Sequence, residues 1–172
     1  TQTNATETAH TNTSELARNV YALPIVQGAL VVDTSNDVVD GDATSISTLL
    51  ANKGADGFIS LREAVIASNN TSGNDTLNLA AGTYTLTIAG AGEDGSAIGD
   101  IDIQTNITIA GAGMASTIIS GGGVDRPIEV DGSGNLTLAD VRLTGGSVNN
   151  DGGGLLVEEA GGTATLTRVD IT

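Results

Sequence analysis

A short apolar-x-apolar unit returns through the second half of the chain, and its spacing is the strongest constraint on the fold. Leu77-x-Leu79 is followed by Ile101-x-Ile103, Ile128-x-Val130 and Leu155-x-Val157; the last three begin at 101, 128 and 155, 27 residues apart each time. Self-similarity at a fixed period of roughly 20–50 residues marks a stacked-repeat architecture. Each repeat would hold two or three short parallel strands, with inward side chains above their counterparts in the repeat below. That predicts three columns. Leu77, Ile101, Ile128 and Leu155 form the first, Leu79, Ile103, Val130 and Val157 the second, and Leu86, Ile107, Leu136 and Ala164 the third.

Composition agrees with an aliphatic core. The 172 residues include 24 glycines and three aromatic side chains, Tyr21, Phe58 and Tyr84, so a core must be built from Val, Ile, Leu and Ala. Glycine clusters at 111–113, 121–123, 145–146, 152–154 and 161–162 read as corners between strands. Thr83 to Ile88 alternates strictly, with Tyr84, Leu86 and Ile88 on one face. A net charge of −15 argues against nucleic acid or an anionic membrane as partner. The chain has no cysteine, which excludes disulfide and thiolate chemistry. No apolar run is long enough to span a bilayer. The start of the sequence lacks the basic-then-apolar pattern of a leader, so an exported protein would be in its mature form.

Three regions follow in order. Residues 1–29 read as a flexible arm with a strand-prone segment, residues 30–75 as an acidic loop and helical cap, and residues 76–172 as strand coils. The β-prone runs at 20–26 and 29–32 would either pack on the chain's own first coil or pair with another copy. A short helix is expected at 46–51. Ser60-Leu61-Arg62-Glu63 has the form of a capping box opening a second helix, which Asn69, Asn70 and Gly73 would stop.

Asp56-Gly57-Phe58-Ile59-Ser60-Leu61-Arg62-Glu63-Ala64 resembles the signature of the CSLREA domain family, with Ile59 where the family name has cysteine. Asn74-Asp75-Thr76-Leu77, Gly82-Thr83-Tyr84-Thr85-Leu86-Thr87, Gly99-Asp100-Ile101-Asp102-Ile103 and Gly121-Gly122-Gly123-Val124-Asp125-Arg126 extend the resemblance over about residues 30–172. It implies an exported bacterial protein in which the module opens a right-handed parallel β-helix, and it implies no reaction and no catalytic residues. The expected fold is therefore all-β: a right-handed parallel β-helix (β-solenoid) with a short N-terminal α-helical cap.

Two chemistries can be drawn from the residues. Asn52-x-Gly54-x-Asp56-Gly57-Phe58-Ile59-Ser60-x-x-Glu63 follows the spacing of an EF-hand loop. Calcium ligands would come from Asn52, Asp56, the carbonyl of Phe58 and Glu63, with Asp40 and Asp42 making up for the glycine at the third position. The capping box accounts for Ser60 and Glu63 without a metal. Asp100, Asp102, Glu129 and Asp131 could form an outward acidic stripe of the kind a carbohydrate-cleaving enzyme uses, but no basic residue has an evident place opposite it, and solvated strand faces explain the acids. His10, the only histidine, lies in the arm. The leading functional expectation is a secreted or cell-surface structural subunit, adhesin-like or assembling head-to-tail through its arm and an open last coil. A carbohydrate-binding or carbohydrate-cleaving module and an inert cap of a larger surface protein are the alternatives, with a glycan or host surface as the further partner.

Overall fold

The computed structural model describes residues 28–148, 152–158 and 161–172. Two helices, α1 (Ile46–Ala51) and α2 (Leu61–Asn69), are joined by ten strands. β1 (Leu30–Val32), β2 (Asn74–Leu79), β3 (Gly82–Thr85), β5 (Asn106–Ala110), β6 (Thr117–Ser120), β8 (Asn135–Thr144) and β10 (Thr163–Ile171) make a seven-stranded sheet. β4 (Ile101–Ile103), β7 (Ile128–Val130) and β9 (Leu156–Val157) make a three-stranded one. All pairings are parallel.

Both helices start where their side chains can satisfy the first free amides. Ser45 caps α1 and Ser60 caps α2, each within a reciprocal capping box completed by Thr48 and Glu63. The helices are not merely a lid. Ile46 and Leu49 of α1, and Leu61, Ala64, Val65 and Ala67 of α2, belong to the same buried cluster as the strand residues Leu77, Ile109, Ile128 and Leu143. No helix among the described residues is long and apolar enough to cross a membrane.

The large sheet curls because its longest strand changes partners part-way. β8 pairs β5 through residues 135–139 and β6 through residues 142–144, while β10 follows it along the other side. The switch falls at Asp140, a non-glycine residue at φ 59°, and β10 repeats the kink at Arg168, φ 51°. The Arg168 guanidinium donates to the Asp140 carboxylate across the two kinks.

This arrangement overturns the all-β, right-handed parallel β-helix expected from the repeats. The chain forms a mixed α/β fold, with parallel sheets of seven and three strands, a half-barrel curl and two helices. The predicted columns divide accordingly. Leu77 lies between Leu30 and Ile109 in the large sheet, whereas Ile101 pairs with Ile128 in the small one. Leu79 likewise sits beside Val32, while Ile103, Val130 and Val157 do stack. In the third column Ile107, Leu136 and Ala164 stack as expected, but Asp75 rather than Leu86 occupies the next position. The physical reason is that apolar alternation specifies which face of a strand is buried and carries no label for its sheet. The 27-residue period belongs to the small sheet alone. The large sheet advances from Asn74 to Asn106 to Asn135 to Thr163, by 32, 29 and 28 residues.

Of the two strand-prone runs before the acidic loop, residues 30–32 add to β2 of the same chain. The run at 20–26 and His10 lie outside the described residues.

Candidate functional site: an acidic cleft on the small sheet

Alternation along β4 and β7 turns Ile101, Ile103, Ile128 and Val130 inward, all fully buried. The same alternation sends Asp102 and Glu129 to the opposite face, where they lie directly side by side. Asp100, Asp131 and Glu158 stand at the strand ends on this side. The repeat therefore stacks acid on acid: Asp102 meets Glu129, and Asp131 neighbours Glu158, each pair one period apart. Like charges in register repel, so such a face costs stability unless something neutralises it.

Around Asp100, Asp102 and Asp131 the face is covered, while Glu158 stays exposed. Residues 89–100 fold back across it, with the Ser96 amide donating to Asp102 Oδ2 and the Asp102 amide donating to Ser96 Oγ at 2.7 Å. The Gln104 side chain ties the same connection down by donating to the Asp94 carbonyl. Asp100, Asp102 and Asp131 are left 3%, 1% and 7% exposed. Asp100 Oδ2, Asp102 Oδ1 and both oxygens of Asp131 have no hydrogen-bond partner among the described residues. Arg126 supplies the basic group that the sequence did not place, closing an ion pair with Glu129 and standing 3.6 Å from Asp100. Beside the sheet lies a cleft of about 690 Å³, lined by Glu93, Asp94, Asp125, Glu129 and Glu158 with apolar Val124 and Leu156 among them.

The electrostatics follow from burial. Desolvation pushes Asp102 up to about 8, opposed by the Ser96 amide and reinforced by the charges of Asp100 and Asp131. Asp100 rises to about 6 through burial and then the neighbouring Asp125. Asp131 rises to about 6 through burial and then Asp94 and Glu158. Near neutral pH the site can hold a proton or a cation. Two triads of carboxylates converge with ligand atoms within 4.8 Å of one another: Asp100, Asp102 and Glu129, and Glu129, Asp131 and Glu158.

The EF-hand-like residues are brought together differently. Glu63 Oε1 accepts from the amides of Asp40 and Gly41 at 2.8 and 2.7 Å, and its Oε2 accepts from Ser60 at 3.0 Å. Asp40 Oδ2 accepts from the amides of Ala55 and Asp56. Asp56 accepts from the Phe58 amide, Asp42 from Thr44, and Asn52 from Gly54. Each of these side chains thus has an oxygen held by the loop's own amides, and none of the residues belongs to either converging triad. Gly54, at φ 85°, is where a β-carbon would fall inside the Asp40 carboxylate. Its place in the loop is set by that close approach.

No family model, no curated protein and no solved structure matches this chain. Its residues are the guide to function.

Arg62 is a structural clamp. It is fully buried and donates to Asp37 from Nε at 2.7 Å and Nη2 at 3.2 Å, and to the carbonyls of Ser96, Gly99 and Asp100. It thereby fixes the connection that roofs the acidic face. Two residues of the site, Arg126 and Glu158, are not placed beside the acidic stripe by the sequence alone. Arg126 is separated from β7 by Pro127, so strand parity says nothing of its direction. Glu158, by contrast, lies one period after Asp131 and could have been found from the repeat.

Proposed function

We propose that the chain is a non-catalytic structural module of an exported or surface-displayed bacterial protein, and that copies associate head-to-tail by parallel strand addition. One observation carries this reading: the ladder β1–β2–β5–β8–β10 is parallel throughout, and the outer sides of β1 and β10 pair with nothing among the described residues. A copy shifted along the ladder offers its β1 to the preceding copy's β10 in the same direction, so the contact repeats without closing. Leu166, 43% exposed on β10, continues the column of Leu30, Leu77, Ile109 and Leu138. Leu30 of the next copy would cover it. The resemblance to the CSLREA family supports the exported setting.

Sedimentation over a concentration series tests the association. The chain should form species larger than a monomer, and Leu166→Lys should return them to monomer with an unchanged circular dichroism spectrum. A wild-type chain that stays monomeric at high micromolar concentration would refute it. The carbohydrate reading is favoured by one observation, the raised Asp100 beside Arg126 in the lining of an open cleft. Release of reducing ends from a polysaccharide panel would decide for it.

A further inference from the structure

We propose that Glu129, Asp131 and Glu158 hold a hard divalent cation of the calcium class at the small sheet's acidic face. The site is separate from the sheet edges through which copies associate, and it is also separate from the loop at 40–63.

Three observations converge on it. The three carboxylates each present an oxygen within 4.8 Å of the others. Calcium–oxygen distances are about 2.3–2.6 Å, so two ligands across one ion lie at most about 5 Å apart. The spacing therefore fits a common centre. Asp131 is 7% exposed and has both oxygens without a hydrogen-bond partner among the described residues. A buried carboxylate in that condition gives up its hydration for nothing unless a proton or a cation replaces it. Asp102 Oδ1 lacks a partner among the described residues alongside, and of the five carboxylates gathered here (Asp100, Asp102 and the three ligands) Arg126 pairs with Asp100 and Glu129.

The donor set selects the class of ion. It is all oxygen, with no histidine or cysteine, which disfavours zinc and copper relative to calcium. The ligands come from the middle strand β7 and from the ends of β7 and β9, where irregular backbone tolerates the variable coordination that calcium accepts and magnesium does not. The neighbouring cleft opens onto Glu129 and Glu158, which gives an ion a route in.

Titration calorimetry of the full chain with calcium chloride, after treatment with a chelator, tests the site. The wild type should bind calcium and melt at a higher temperature with it. Glu158→Gln, at an exposed position, should fold normally and bind at least tenfold more weakly. Asp131→Asn should melt no lower than the wild type in chelator and lose the calcium-dependent rise. Asp42→Asn, in the other acidic loop, should bind as the wild type does. Absence of binding at millimolar calcium would overturn the proposal, since Asp131 would then be relieved by a proton alone. Retention of full affinity in both Glu158→Gln and Asp131→Asn, or its loss in Asp42→Asn, would overturn it equally.

Discussion

Replacing Arg62 by methionine keeps the helical stem and deletes the guanidinium. Asp37, whose side chain is 3% exposed, would lose its bidentate partner, and three backbone carbonyls in the roof of the acidic face would each lose a donor. Breaking one side of a buried ion pair costs about 3–5 kcal/mol, mostly because the remaining charge is stranded. The loss expected here is about 4 kcal/mol, read as a shift in the urea midpoint. Arg62→Lys should recover only part of it, because an ammonium cannot span Asp37 and the carbonyls of Gly99 and Asp100 together. The pH dependence has a definite sign. Burial pushes Asp37 up, but Arg62 and the amides of Thr87 and Ile88 pull it down further, below the usual carboxylate value of 3.8. A depressed carboxylate contributes stability that is fully present above pH 3.8 and lost as the pH falls through its folded-state value. In Arg62→Met the burial penalty is no longer outweighed by the arginine, so the gap between the two proteins should narrow in acid. A loss below 1 kcal/mol at pH 7, or a gap that widens in acid, would refute this account of Arg62.

Three other substitutions probe separate parts of the fold. Ile128→Asp places an unpaired charge at a fully buried position in the middle strand of the small sheet and should cost several kcal/mol; preserved stability in guanidinium would place Ile128 elsewhere. Asp75 is 5% exposed in the column of Ile107, Leu136 and Ala164, has Oδ2 unpartnered among the described residues, and is pushed up by burial. Asp75→Leu should therefore stabilise by about 1–2 kcal/mol at pH 7. That gain should shrink as the pH falls through the raised folded-state value of Asp75 and be lost below 3.8, where the wild-type carboxyl is protonated in both states; destabilisation in thermal melts would contradict it. Ser60→Ala removes the cap on the Glu63 amide and a 2.6 Å bond to the Val38 carbonyl, and should lower stability by about 1–2 kcal/mol in denaturant titration.

The parts legible in the sequence are those fixed by local chemistry. The capping box at Ser60 and Glu63 is a contact over three residues, and the helix it announces forms as read. The small sheet's register follows the period of 27, because its strands are separated by nearly equal connections. The large sheet is legible only in its stack of Ile107, Leu136 and Ala164, since its steps vary and its pivot is a non-glycine residue with positive φ, Asp140. Asp75 interrupts an apolar column, so a reading by hydrophobicity passes over it. The acidic stripe is visible as residues, but strand alternation alone leaves it facing solvent. Its burial depends on residues 89–100, whose glycines and acids look like an ordinary surface loop until Arg62 pins them down.

The two acidic regions carry similar residues and differ in how completely those residues are satisfied. Around α2, both oxygens of Glu63 and of Asp37 take backbone amides or arginine donors, so burial there is fully compensated and the region reads as scaffold. On the small sheet the compensation is partial for Asp100 and Asp102 and missing among the described residues for Asp131, although Arg62 holds the roof that buries them. A fold that confines such groups beneath a clamped connection gives up stability at one place, and a bound ligand can restore it there. The cation site and the strand-edge association can fail separately. Leu166→Lys alters a β10 position and leaves Glu129, Asp131 and Glu158 untouched, while Glu158→Gln does the reverse. If calcium also strengthened association, the coupling would have to pass from β7 and β9 into β10. The Thr163 amide donating to the Gly134 carbonyl at 3.0 Å, three residues beyond Asp131, is the contact through which it would run.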